Sequence, residues 1–534
     1  MVKDQQYHNW FFYVVGAAIL LLFVRLGAAP IYILDEAKNA QCAREMWLRG
    51  DWIVPSFNGE LRTDKPVLHY WFMRMAYSIA GANAGAARFF SGVAGLVLII
   101  VTYVQTKRGS DTVVGFFAGA SLLLSTHYLF EFRLSVPDPY LILFTCIGLF
   151  AGFNYLDRGR SSQVILAGIA LGIAALAKGP VAYALPGIIF LIYIFIKKKW
   201  NVFKDPFLWL SGFIALMVAL PWYYAVHIKT GGEFTSGFFL DHNLNRFSAE
   251  KEGHGGPFFV TLLIVILGMF PVSFLAIAGM KKRFKFFKQP LYLFSFVVVG
   301  VYILFFSISS TKLPNYPMPC YPFVAILAAY VLKEVMEGRY NIPGLIWGLL
   351  LFLALAIPVG GYFALQNEPE AAQFAFVALW LFILPIGILL AWVLRRKVKL
   401  SLLFLGISWV LFSAILLWVG YPSVYSINPV NKLSTIIDKD ARVLAYRAYN
   451  PAFNFHFEKE RMIIPMARSI NELDSLQNLV TGMESGSGNT KTIYIITREN
   501  YLEELSGKGF EEIGRNKDLF ELPTTVILRR RPKY

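Results

Sequence analysis

The chain has three cysteines in 534 residues, Cys42, Cys146 and Cys320, far apart and odd in number. That excludes a disulfide framework or a CxxC metal knuckle, and no bridge is expected. Charge is also scarce, at 16% of residues, against 56% hydrophobic and a mean hydropathy of +0.53. A soluble domain this apolar could not cover itself with polar surface. No Walker or Rossmann glycine pattern occurs, so no nucleotide cradle is expected. The apolar runs carry almost no charge at their middles, which argues against a transporter or lipid flippase, the competing class. A net charge of +16 does not signal nucleic acid, because the Lys and Arg lie in short clusters between apolar runs.

What the sequence does have is repeated apolar runs long enough to cross about 30 Å of hydrocarbon. They predict a mostly α polytopic membrane protein with about thirteen spans, near 11–29, 89–105, 112–130, 139–156, 163–177, 181–196, 206–226, 257–280, 290–308, 317–333, 343–365, 372–394 and 400–419. The first run lacks a small-residue cleavage site and reads as a retained helix. Positive clusters at Lys107-Arg108, Arg158 and Arg160, Lys197-Lys198-Lys199, Lys281-Lys282-Arg283, Lys333 with Arg339, and Arg395-Arg396-Lys397 fall on one side. Positive-inside then puts the N-terminus in the cytoplasm and the C-terminal region outside.

Three segments are too polar for lipid: 30–88, 227–256 and 420–534. The first is expected to form interfacial helices from Asp35 to Trp47, closed by Gly50, and from Val67 to Ile79, closed by Gly81. The last carries short β-branched runs at 442–447, 492–497 and 525–528 and a Gly/Ser-rich loop at 481–490, which predicts a small α/β domain. The expected division is a membrane catalytic domain, 1–419, and a C-terminal domain, 420–534.

Acids at the outer membrane edge have two readings. Asp35 stands before a helical pattern, and either N-capping or chemistry would explain it. Asp138, in Val136-Pro137-Asp138-Pro139, leans towards a cap. Lys178, before Gly179-Pro180, would close a helix, yet it lies on the side where positive charge is disfavoured. Lys38, Lys65, Arg246 and Lys312 share that anomaly. Each alone would merely meet headgroups; together they suit an anionic ligand such as a lipid phosphate. His242 and His254, two of seven histidines, fall in the second polar loop without a metal-ligand spacing. Ser310–Pro317 is a proline-stiffened loop carrying Lys312 and Tyr316. Moving a sugar from a lipid phosphate needs a carboxylate to take the acceptor's proton, cations to stabilise the departing phosphate, and an apolar groove for the prenyl tail. Asp35 with Lys38, then Asp64-Lys65, offer the polar parts in one loop.

Asp35-Glu36-Ala37-Lys38, Ala43-Arg44-Glu45-Met46, Gly50-Asp51-Trp52-Ile53-Val54-Pro55, Asn58-Gly59-Glu60, Asp64-Lys65-Pro66, His69-Tyr70-Trp71 and Ala87-Arg88-Phe89 form one ordered series. Pro137-Asp138, Lys178-Gly179-Pro180, His254 with Pro257-Phe258, and Thr311-Lys312-Leu313-Pro314 continue it through roughly the first 330 residues. The series resembles bacterial aminoarabinose transferases and their kin, the polyprenol-dependent, protein-mannosyltransferase-like GT-C glycosyltransferases. The resemblance implies a transferase in the bacterial cytoplasmic (inner) membrane. It would move a monosaccharide, 4-amino-4-deoxy-L-arabinose being one option, from undecaprenyl phosphate to lipid A, another glycolipid, a glycan or a protein hydroxyl on the periplasmic face. It implies Asp35 as base or acceptor organiser and Asp138 as a second essential acid. Lys65 and Arg246 would hold the phosphate, with Lys38, Lys178, Lys312 and Tyr316 lining the same cavity. In some members a zinc ion sits between positions matching Asp64 and His242, with His254 the alternative; no cofactor is required by the sequence.

Overall fold

A computed structural model describes residues 2–244, 256–279, 283–476 and 492–530 of the chain. Among these, nine helices are long and apolar enough to cross a membrane, ten if the pair Val260–Gly268 and Val272–Ala278, bent by 111°, counts as one. Pro271 stands at that bend, where it removes a backbone donor and breaks the helix. Three further positions read as spans are apolar helices of only 12 to 17 residues, Thr112–Leu123, Ser162–Lys178 and Val181–Lys197. The count of about thirteen full-length spans is therefore not reproduced. Among the described residues the apolar runs are mainly helical, but breaks at Leu124-Ser125 and Gly179-Pro180 shorten the three. The first helix also differs: it runs Val2–Phe23 rather than 11–29, because its polar first turns continue the helix and residues 24–27 form a turn.

Asp138–Arg158 and Met318–Met336 are 89% and 94% buried and form the centre of the bundle, whereas Pro206–Lys229 and Gly344–Gln366, each 17% buried, face outwards. The chain is a multi-pass membrane protein, and these outer helices present their apolar side chains to lipid.

The first polar segment folds as two helices, Leu34–Arg49 and Leu68–Ala80. Gly50 (φ 70°) and Gly81 (φ 73°) end them in the left-handed half of backbone space. A small hairpin, β1 (Ser56–Phe57) and β2 (Glu60–Leu61), lies between them. Glu45 ties it down, accepting from Ser56 Oγ at 2.6 Å and from the Asn58 and Gly59 amides at 2.7 and 3.2 Å. Glu36, fully buried, accepts two 2.7 Å hydrogen bonds from Arg88 and one of 3.0 Å from the Ser135 amide. Arg88 also donates to the carbonyls of Leu26 and Ala29. One buried ion pair thus locks helix 34–49 to helix Ala84–Gly109 and to the approach to Asp138.

After residue 426 the chain builds a mixed five-stranded sheet in the order β4-β3-β5-β7-β6. Its strands are β3 (Arg442–Tyr446), β4 (Met466–Ala467), β5 (Ile493–Arg498), β6 (Phe510–Lys517) and β7 (Thr524–Arg530). β3 pairs in parallel with β4 and β5, and β7 pairs antiparallel with β5 and β6. The three β-branched runs are β3, β5 and β7; short β4 and polar β6 gave no comparable signal.

Two sets of loops each close among themselves. On one side Arg44 donates to the carbonyls of Phe455 and Phe457 at 3.2 and 2.9 Å. Asn58 bonds Asn454 and Ile464, Tyr32 Oη accepts from the Leu519 amide, and Lys517 pairs with Glu368. On the other, Lys333 pairs with Asp111, Lys285 with Glu334 and Tyr155 with Asp205. The C-terminal sheet therefore sits against the first polar segment, in a set of contacts separate from that of the basic loops.

Candidate active site

A cavity of about 560 Å3 opens where Lys65 and Lys178 come together. Its walls are apolar, supplied by Leu141, Val181, Leu185, Phe238, Tyr302 and Phe306; its polar end holds Asp64, Lys65, Lys178, Thr311 and Tyr316. Pro66, one residue before the cap of helix 68–80, fixes the backbone beside Lys65. Lys178 ends helix Ser162–Lys178, and Gly179 (φ 78°) turns the chain sharply away from it.

Asp138 is the first residue of helix Asp138–Arg158, with Pro137 as its N-cap. Its side chain caps no helix amide; Lys178 Nζ donates to Asp138 Oδ1 at 2.5 Å. Lys178 Nζ also lies 4.8 Å from the centre of the Tyr316 ring. Burial is the largest influence and would lower the Lys178 pKa, but Asp138, by charge and hydrogen bond, together with Tyr316 and Glu131, more than offsets it and holds the ammonium above its ordinary value. This cation stays charged through the physiological range.

Asp35 is exposed in the first turn of helix 34–49, whose N-cap is Ile33 without a side-chain cap, so the capping explanation does not apply. Lys38, half-buried on the same helix, is not among the cavity-lining residues. Neither is Lys312, whose Nζ turns back to the Ser309 carbonyl at 2.8 Å. Asp64 accepts two hydrogen bonds from Arg62, at 2.6 and 2.9 Å. Among the described residues no cluster of three or more His, Cys, Asp or Glu stands ready for a metal ion. Arg246 and His254 lie outside the described residues, and only the backbone of His242 is described.

Three buried groups beside the site were not singled out for chemistry in the sequence. Arg62 orients Asp64. His69 is fully buried, and neither ring nitrogen has a hydrogen-bond partner among the described residues; burial, then Arg62 and Lys65, push its pKa well below the ordinary range, so the ring is neutral. Glu131, buried beside Asp138, is pushed up to about 8 by burial and then by that carboxylate. A lone acid directly after an apolar run, as Glu131 follows 112–130, was the available signal.

Residues 64–224 match the family described as dolichyl-phosphate-mannose-protein mannosyltransferase. An uncharacterized protein of Aquifex aeolicus is 27% identical over 65% of this chain and 69% of its own length. Two undecaprenyl phosphate-alpha-4-amino-4-deoxy-L-arabinose arabinosyl transferases are similarly related. That of Aeromonas salmonicida is 29% identical over 64% of this chain and 63% of its own. That of Shewanella sediminis is 28% identical over 83% of both. The fold is similar to the crystal structure of ArnT from Cupriavidus metallidurans bound to undecaprenyl phosphate, at a TM-score of 0.76, 21% identity, and 98% and 99% of the two chains. It also resembles the archaeal oligosaccharyltransferase AglB from Archaeoglobus fulgidus at 0.51, 11% identity, over 94% of this chain and 70% of that one. Motif order, the partial family match and the fold point the same way: the chain is similar to the protein-mannosyltransferase-like and aminoarabinose transferases and shares the GT-C fold.

Proposed function

We propose that the protein transfers a monosaccharide from a polyprenyl-phosphate donor, undecaprenyl phosphate in bacteria, to a lipid-borne hydroxyl at the outer face of the cytoplasmic membrane. The observation carrying this reading is a cavity with largely apolar walls and two lysines in its lining, one of them in a buried pair with Asp138. Such a cavity suits a ligand with a prenyl tail and an anionic head. The related transferases carry 4-amino-4-deoxy-L-arabinose in their names, and that sugar with a lipid A acceptor is the specific assignment.

In this reading Asp35 takes the proton of the acceptor hydroxyl as its oxygen bonds to the anomeric carbon. The bond from that carbon to the phosphate oxygen breaks, and its electron pair leaves with the phosphate. Lys65 and Lys178 stabilise the charge gathering there, and Asp138 keeps Lys178 charged and aimed. Arg246 is assigned to the same phosphate on the resemblance alone. Tyr316 lines the polar part of the cavity and packs on Lys178, while Lys38 and Lys312, which do not line it, are given a substrate-binding role on the resemblance alone. The chain divides at 419/420 into a catalytic membrane part and a periplasmic C-terminal part, with the N-terminus cytoplasmic. The sheet's contacts with the first polar segment, away from the basic loops, support that sidedness.

The implied zinc position fits poorly as it stands. Both Asp64 oxygens already accept from the Arg62 guanidinium, and a divalent cation there would have to displace it. No step is routed through a metal.

The test is transfer by the purified protein of labelled sugar from a polyprenyl-phosphate donor to lipid A in vesicles. Labelled product, lost in Asp35→Asn, is expected; movement of donor across the bilayer without product would favour the flippase instead.

A further inference from the structure

Glu131 ends the short helix Thr126–Glu131, and no step above uses it. It is 5% exposed, and its Oε1 meets no hydrogen-bond partner among the described residues. Its helix is firmly seated. Tyr128 Oη donates to the Gly95 carbonyl at 2.5 Å, and a β-carbon on Gly95 would stand 2.9 Å from Phe132. Glu131 therefore cannot swing out to solvent without unpacking helix 84–109.

The charged and titratable groups within electrostatic reach of it come from four directions. Asp138 stands at the start of helix 138–158, Lys178 at the end of helix 162–178, and Asp35 and Glu36 on helix 34–49. The Tyr321 phenol, hydrogen-bonded at 2.8 Å to His127 on Glu131's own helix, comes from helix Tyr321–Met336. Glu36 is spent on Arg88, and Asp35 is exposed. That leaves two buried carboxyls, Glu131 and Asp138, beside one ammonium. They cannot both ionise at low cost against a single cation.

We propose that Glu131 is a positioning residue for the donor's phosphate, acting through Lys178. As a neutral acid it leaves the Lys178 ammonium to be shared between Asp138 and the phosphate. As an anion it would compete for that ammonium and repel the phosphate. The inference rests on reading the cavity as the donor-phosphate site. Burial and Asp138 together place the change near pH 8, so grip on the donor falls as pH rises through that value.

The experiment measures binding of undecaprenyl phosphate to the purified full-length protein at pH 7 and pH 9. If only the neutral form binds, Kd weakens about tenfold between them. In Glu131→Gln, permanently neutral, the change should shrink to less than about twofold, with pH 7 affinity close to wild type. Glu131→Asp, a second variant should the first fold poorly, keeps a titratable carboxyl and should keep the alkaline loss. A Gln variant that follows the wild-type profile, or a wild type with no alkaline loss, overturns the inference alone. Failure of the wild type to bind undecaprenyl phosphate at pH 7 overturns the donor reading and this inference with it.

Discussion

At the scale of single residues, the site is governed by which buried charges have partners. Asp138 is buried but answered by Lys178 at 2.5 Å, and it in turn holds the lysine charged. Lys178→Met should therefore weaken donor binding and leave Asp138 a buried charge without its cation, destabilising the fold by about 3–5 kcal/mol. Thermal unfolding in detergent and donor KM check the two effects separately. Asp35 is exposed and stands outside the ion pairs described above that hold the fold, so Asp35→Asn should leave unfolding temperature and donor binding unchanged while lowering kcat by about 10²–10⁴-fold. Glu131 adds a pH term to stability. Its pKa is raised from 4.5 to about 8, so the folded state binds a proton that the unfolded state has lost across that range. Stability from this group is complete below about 4.5 and declines as pH rises towards 8. Glu131→Gln should flatten that slope in unfolding measurements from pH 5 to 8.

Among the elements, the first polar segment shows what sequence reasoning can and cannot reach. Glycine closures at Gly50 and Gly81 were legible because only a positive φ needs them, and both helices end there. So were the β-branched strands β3, β5 and β7. Strand β6, Phe510–Lys517, was not: its charged side chains pair across the sheet edge, as Glu511 does with Arg529, instead of alternating apolar and polar. The three short apolar helices read as spans because hydropathy does not register a break of one or two residues. The catalytic candidates were legible as a charge anomaly. Their pairing was not, since Asp138 and Lys178 are 40 residues apart and local spacing says nothing of it. Glu36–Arg88 is the pair that holds these elements together. Glu36→Gln should lower the unfolding temperature and, by freeing helix 34–49, reduce activity far more than donor binding. Donor titration beside the transfer assay would separate those outcomes.

Across the whole molecule, the proposed function rests on a cavity between helices and on a sheet packed against the polar segment whose first helix carries Asp35. Arg44 reaches the carbonyls of Phe455 and Phe457, and Asn58 is matched to Asn454 and Ile464. Arg44→Ala removes charge-assisted bonds worth on the order of 1.5–3 kcal/mol each. It should raise hydrogen exchange in 450–465 and in the hairpin without altering the helical bundle. The central claim is that the Lys65–Lys178 cavity holds a prenyl-linked phosphate while chemistry occurs at its polar end. Quantifying glycosylated lipid A made by the purified protein from a labelled undecaprenyl-phosphate sugar tests it most directly, with wild type, Lys65→Met and Asp35→Asn side by side. The account predicts product from wild type, a raised donor KM in Lys65→Met, and a collapsed kcat with normal donor affinity in Asp35→Asn. Unchanged kinetics in both variants would contradict it.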